Sequence, residues 1–199
     1  MTPAELVTLI EGIALPGYSP EEVRFMGNTV AVSRPEVVFD WGTNRGSSAR
    51  IWLEATEGFK VRPPIHTVDL GDELSGVTQD HAGIFTGMYV WNLRRVQQHR
   101  GDGVEVALRL YEECGSPERA LFFVDGDHSA EAVEAEVLRL AEEAPSATLL
   151  LHDTNHPNIA DLTGPRQAVD SLLRTSGRYA MLELKSDAGI IRLWPKEAT

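Results

Sequence analysis

Two short polar stretches of this sequence carry residue types that could act on one ligand together: Asp125-Gly126-Asp127-His128 and His152-Asp153. Each follows an apolar run, Ala120-Leu121-Phe122-Phe123-Val124 in the first case and Ala147-Thr148-Leu149-Leu150-Leu151 in the second. Runs of this kind read as buried strands. Adjacent parallel strands lie about 4.8 Å apart, so side chains at their ends can converge on one hard cation. Carboxylates suit Mg²⁺, which keeps waters for a substrate oxygen to replace. Such a cation makes a nearby hydroxyl easier to deprotonate, and an imidazole with a near-neutral pKa can take the proton. Competing structural roles exist. Asp127 can cap the helix that follows it, and His152 can be a satisfied core residue.

A third feature is Asp40-Trp41-Gly42-Thr43-Asn44-Arg45-Gly46-Ser47-Ser48, a glycine-rich turn after an apolar strand. Glycines there let the backbone come close to a ligand. No Gly-Lys-Ser/Thr follows, and the spacing of Gly42 and Gly46 is not that of a dinucleotide-binding loop. Asp40 at the strand end repels a diphosphate and suits a cationic or amino-bearing ligand.

The elements that must position these residues alternate along the chain. Helices are expected over Pro3 to Ile13, after Ser19-Pro20-Glu21-Glu22, over Ser47 to about Ala55, Gly103 to Cys114, from Ser129 on, and Pro165 to Ser176. The Ser19 segment is a helix start, with a capping hydroxyl, proline in the first turn and acids at the positive end. Ser129 is read as a cap in the same way. Strands are expected at Glu36–Asp40, Pro64–Asp69, Leu93–His99, Ala120–Val124, Ala147–Leu151, Tyr179–Leu184 and Gly189–Trp194. Residues 70–93 read as a loop with a short helix. The first five strands alternate with helices, which demands right-handed parallel crossovers. The last two are joined by Lys185 to Ala188, short enough only for a hairpin. The fold class is therefore α/β: a Rossmann-like, seven-stranded, mostly parallel sheet with helices on both faces and a C-terminal antiparallel hairpin. Ligands of such sheets sit outside the carboxyl ends of the strands, where this chain places Asp40, Asp69, Asp125, His152 and Asp153. Met88, Tyr89, Trp91, Arg94 and Arg95 form either a substrate wall or the docking face of a short helix. Asn155 and His156 are substrate-loop residues or ordinary loop polarity.

The glycine turn resembles the first motif of the class I S-adenosylmethionine-dependent methyltransferases, an acid, one residue, then Gly-x-x-x-Gly. The resemblance implies that Gly42, Thr43, Asn44, Gly46 and Ser47 line the methionine part of the cofactor, with Asp40 near its amino group. It places Asp69 on the ribose hydroxyls, Asp102 near adenine, and Asp125 beside the cofactor as well. NAD is the main competing ligand, since an acid at the second strand end serves its ribose too. The Asp-x-x-His stretch and the pair after the fifth strand resemble the metal-dependent small-molecule O-methyltransferases related to the cephalosporin-hydroxylase-like and macrolide-sugar methyltransferase proteins, over roughly residues 36–172. By that resemblance Asp125 and Asp153 are metal ligands and His128 is the general base. Those proteins have an acid or amide where this chain has His152. A nitrogen ligand there shifts preference from Mg²⁺ towards Mn²⁺, Fe²⁺ or Zn²⁺; alternatively His152 points away and two carboxylates remain. The implied activity is methyl transfer from S-adenosylmethionine to a hydroxyl of a small molecule, a sugar or natural product, with Mg²⁺ or Mn²⁺. The alternatives are a metal-independent N- or O-methyltransferase and a non-catalytic S-adenosylmethionine-binding subunit. A phosphatase of the haloacid-dehalogenase type fits poorly, because Asp125-x-Asp127 lies on the fourth strand and the only later lysines are Lys185 and Lys196.

Composition narrows the partners. The 199 residues suit one domain, with a helical segment over 1–34 before a core over 35–199. Thirty acidic against 18 basic residues give −12, a sign that opposes nucleic acid. Cys114 is the single cysteine, so no disulfide or cysteine-rich zinc site forms within the chain. No apolar run reaches the ~18 residues of a membrane span, and the first basic residue, Arg24, comes late for a secretory signal. A cytoplasmic enzyme is expected, with a small hydroxylated acceptor and a homodimer partner as a possible cover for the pocket.

Overall fold

The most apolar runs of the chain take the centre of the sheet. In a computed structural model, which describes residues 1–70, 88–155 and 163–196, β1 (Val37–Trp41), β4 (Ala120–Val124) and β5 (Thr148–His152) are buried at every position. Around them lie β2 (Ile65–Asp69), β3 (Val96–Arg100), β6 (Tyr179–Leu184) and β7 (Ile190–Pro195). The strand order is β3-β2-β1-β4-β5-β7-β6. The first five are parallel, and β7 runs antiparallel between β5 and β6. The expected hairpin is present, with the last strand inserted on the inner side. That insertion follows from burial: β7 carries Ile190, Ile191 and Leu193, all fully buried, whereas β6 exposes Met181 and Leu182 and so suits an edge.

Side chains of successive strand residues point to opposite faces, and two cores result. Val37, Phe39, Trp41, Phe122 and Leu149 face α4 (Gly103–Glu113), α5 (Ala130–Glu143) and α6 (Gly164–Thr175). Val38, Phe123, Leu150 and Ile190 face α1 (Pro3–Ile13), α2 (Pro20–Ser33) and α3 (Ser47–Gly58). The N-terminal segment is thus the outer wall of one face, α1 and α2 each starting with a capping box, at Thr2 and Ser19.

Two local expectations are corrected. The third strand begins at Val96 rather than Leu93, because Leu93 and Val96 close tight turns onto Val90 and Leu93 carbonyls. Ser129 occupies the N-cap of α5 without a side-chain cap bond; Asp127 Oδ1 accepts from the Ser129 amide instead, at 2.6 Å. Between β2 and β3 the described residues hold a short 3-10 turn, Met88–Val90. It docks through the buried Val90 side chain and through backbone, the Tyr89 amide donating to the Arg45 carbonyl (2.9 Å), while Trp91 is 65% exposed. Residues 71–87 and His156 lie outside the described residues.

Phe122 is the centre of the first core, stacked on Phe39 at 4.8 Å and meeting Trp41 and Tyr111 edge-on. Truncating such a residue loses transfer energy and leaves a cavity. Phe122→Ala should lower the unfolding free energy by about 3–5 kcal/mol, read from urea denaturation.

Candidate functional site at the carboxyl edge of the sheet

The edge is assembled around a backbone contact between β1 and β4. Gly42 has φ +87°, and a Cβ there would lie 1.9 Å from the Asp125 carbonyl oxygen. Only glycine lets the turn after β1 pass so close to the loop after β4. Asn44, also left-handed at φ 42°, turns its amide to Asp69 Oδ2 at 2.7 Å. Thr43, nearly buried, shares a 2.6 Å hydrogen bond with Thr67. Gly46, at φ +85°, caps α3, which begins at Ser47. The turn and the end of β2 therefore form one unit, with the acid of Asp69 bridging them.

Asp40 sits beneath this turn. Its carboxyl is fully buried and accepts from Trp52 Nε1 (3.2 Å) and Thr67 Oγ1 (2.8 Å). Burial pushes its pKa up to about 7, against hydrogen bonds from Ser48, Thr67 and Trp52 that lower it. The residue expected beside a cofactor amino group is thus first a brace between β1, β2 and α3. Asp102 is exposed and caps α4, accepting from the Glu105 amide at 3.0 Å.

Asp125, His152 and Asp153 converge as expected from the β4–β5 pairing. One donor atom from each lies within 4.8 Å of the others. His152 Nδ1 is 3.2 Å from Asp125 Oδ1 and 3.4 Å from Asp153 Oδ1. His152 shares its face of β5 with Leu150, so its ring turns towards α2 and is 5% exposed. Asp153 reaches the same point because its backbone is left-handed, φ 54°, a conformation that costs energy in a non-glycine residue and gathers at functional sites. His128 Nε2 meets the other oxygen, Asp153 Oδ2, at 2.6 Å.

Charge explains the protonation of this cluster. Burial disfavours a charged His152, yet Asp125, Asp153 and Glu22 outweigh it and its pKa is pushed up to about 12. The hydrogen bond from His128 holds the Asp153 carboxyl well below the usual carboxylate range despite burial, and the same bond raises the His128 pKa. The donor set, two carboxylate oxygens and an imidazole nitrogen, fits a divalent cation of the Mn²⁺, Fe²⁺ or Zn²⁺ type, which competes for Nδ1 with the proton.

Two residues of this site were not singled out as site residues in the sequence. Tyr18 donates to Asp125 Oδ2 at 2.6 Å, and Glu22, 3% exposed, lies 3.6 Å from His152 Nε2. Ser19-Pro20-Glu21-Glu22 signals a helix start, and nothing in it indicates which neighbour the acid meets. Asn155 also finds a structural task, its amide and side chain donating to Ala188 and Ser186 carbonyls of the hairpin turn (2.7 and 2.9 Å).

No protein-family model matches this chain, and no curated protein matches it in sequence. Solved structures match its fold. A methyltransferase from Podospora anserina with S-adenosylhomocysteine bound superposes with a TM-score of 0.63, over 98% of this chain and 88% of its own, at 17% identity. An O-methyltransferase from Bacillus cereus, also in complex with S-adenosylhomocysteine, gives 0.58 over 98% and 90% at 15% identity. The O-methyltransferase TomG from Streptomyces achromogenes, involved in tomaymycin synthesis and solved with S-adenosylmethionine, gives 0.56 over 97% and 88% at 11% identity. The shared feature is the fold, the Rossmann-like sheet of these methyltransferases with its terminal antiparallel pair.

The buried Asp40 yields a stability signature. Its unfolded pKa is about 3.9 and its folded value about 7, so the native state keeps a proton that the unfolded state releases. That stabilisation is complete below about pH 4 and is lost as pH rises to about 7. Asp40→Asn should flatten the fall in stability across this window, measured by denaturation at stepped pH.

Proposed function

We propose that this protein is an S-adenosylmethionine-dependent O-methyltransferase acting on a hydroxyl of a small molecule, assisted by a divalent cation and by His128. The observation that carries the reading is the convergence of Asp125, His152 and Asp153 beside the glycine turn, on a fold that S-adenosylmethionine-bound and S-adenosylhomocysteine-bound O-methyltransferases share. When bound, S-adenosylmethionine supplies a sulfonium methyl that ends on the acceptor oxygen, leaving the thioether. A cation held by Asp125, His152 and Asp153 would lower the pKa of the acceptor hydroxyl and orient it.

The chain's own residues supply the remainder. Asp69, tied to the Asn44 amide, presents an acid suited to ribose hydroxyls. The acids along this edge, Asp69, Asp102, Asp125 and Asp153, favour a ligand that carries sulfonium and ammonium charges. His128 holds Asp153 through Nε2, which leaves Nδ1 as the nitrogen that takes the acceptor's proton. The proton passes from hydroxyl to imidazole and then to water, so methyl donor and acceptor become thioether, methyl ether and a released proton. With acceptor and methyl donor held in line, orientation carries most of the rate. The overall charge of −12 favours a small acceptor over a polyanion. No described helix is long and apolar enough to cross a membrane.

Calorimetric titration with S-adenosylhomocysteine, in EDTA and again with Mn²⁺, tests the reading: micromolar binding is expected, and no binding in either condition removes it. Cation binding should also release a proton from His152, so Mn²⁺ affinity should rise with pH; an apparent binding enthalpy independent of the buffer's own ionisation heat would contradict this. His128→Ala should lower turnover about 10²- to 10⁴-fold. Because Asp153 raises the His128 pKa and the base must be neutral, the rising limb of the rate profile should lie above the ordinary imidazole value near 6.5.

A further inference from the structure

We infer that the N-terminal segment is the outer shell of the cation site, with Glu22 the positioning residue for His152 and Tyr18 the positioning residue for Asp125. The inference rests on the reading above that Asp125, His152 and Asp153 hold a divalent cation. It starts from an acid in an unusual place. Glu22 is the third helical residue of α2, and its Oε2 accepts from the Ser19 amide (2.8 Å) and hydroxyl (3.0 Å) as the acid of a capping box. That task needs one oxygen and works at a solvated surface. Here the side chain is almost wholly enclosed, and Oε1 faces inward. It accepts from Ser186 Oγ at 2.5 Å and lies 3.6 Å from His152 Nε2, a ring nitrogen that is buried without a hydrogen-bond partner. The helix cap does not require this second orientation.

An imidazole that binds a metal through one nitrogen carries its proton on the other. A carboxylate facing that N–H sets the tautomer and the ring plane. With Nε2–H turned to Glu22, the lone pair of His152 lies on Nδ1, the atom that faces Asp125 Oδ1 and Asp153 Oδ1. Tyr18 acts on the next ligand. Its hydroxyl occupies Asp125 Oδ2 and leaves Oδ1 turned to the site. Its ring lies 5.0 Å from the His152 ring and 6.3 Å from Phe123, so both ligands lose freedom to rotate. Ser186, on the turn between β6 and β7, closes the shell from the other side. Segments far apart in sequence, residues 18–22 and 186, therefore meet beside this histidine.

The test measures cation affinity directly, by calorimetric titration of the EDTA-treated full chain with Mn²⁺. Gln serves in a capping box as Glu does, so Glu22→Gln keeps the helix start and removes the charge. Expected is 10- to 100-fold weaker Mn²⁺ binding with the cation-free melting temperature little changed. Tyr18→Phe, which keeps the ring, should weaken binding in the same direction. Glu21→Gln, an exposed first-turn acid beside it, should bind as the wild type does. Equal affinity in wild type and Glu22→Gln overturns the outer-shell assignment and leaves the cation site standing. Absence of Mn²⁺ binding in the wild type overturns the cation reading and this inference with it. If Glu22→Gln does not fold, Tyr18→Phe decides: weaker binding supports the assignment and unchanged affinity overturns it.

Discussion

Three carboxylates surround one buried imidazole at the end of the central strands. Glu22, Asp125 and Asp153 all lie within 3.6 Å of His152, and His152 and Glu22 are almost fully enclosed. Uncompensated charge in such a place is costly. The cluster therefore requires a positive charge at its centre, and the atom positions offer two sources, a proton on Nδ1 or a divalent cation in its stead. Much of the surrounding architecture follows from that requirement. The α1–α2 segment must dock to bring Glu22 and Tyr18 to the ring. The hairpin must return to bring Ser186. Asp153 must take up a left-handed backbone.

The sheet meets this demand through parity and one close approach. Residues of even number on β5 share a face with Leu150, so His152 turns to the α2 side. On β1 the same parity sends Asp40 beneath the glycine turn and Trp41 to the opposite core. Gly42 then lets the turn after β1 touch the Asp125 backbone, so the two halves of the edge are mechanically one. A ligand lying across this edge meets the acid of Asp69 on one side and the imidazole–carboxylate cluster on the other. In the proposed reaction, Asp69 serves the cationic methyl donor and the imidazole–carboxylate cluster serves the acceptor.

The positions of the elements were legible in the sequence because they depend on local pattern. The apolar runs ending at Val124 and Leu151 announce buried strands. Ser19-Pro20-Glu21-Glu22 announces a helix start, and the four residues Lys185 to Ala188 permit only a hairpin. From strand adjacency alone, the polar ends Asp125, His152 and Asp153 were expected to converge, and they do. Leu93 looks apolar enough to begin the third strand, which starts three residues later, because the turns onto Val90 and Leu93 are a matter of backbone bonding that composition does not encode.

Residue types and their places at strand ends were thus determined by sequence, and with them the class of chemistry the edge can hold. Which atoms face one another was decided by tertiary structure. Glu22 reads identically whether its second oxygen meets water or His152. Asp127 and Ser129 are both good caps, and loop geometry chose Asp127. Asp40 reads as a ligand-facing acid, yet the alternation of β1 and the packing of Trp52 turn it inward. The physical reason is common to all three: hydrogen bonds and ion pairs depend on directions and burial set by the folded backbone and its packing, and a residue pattern carries neither.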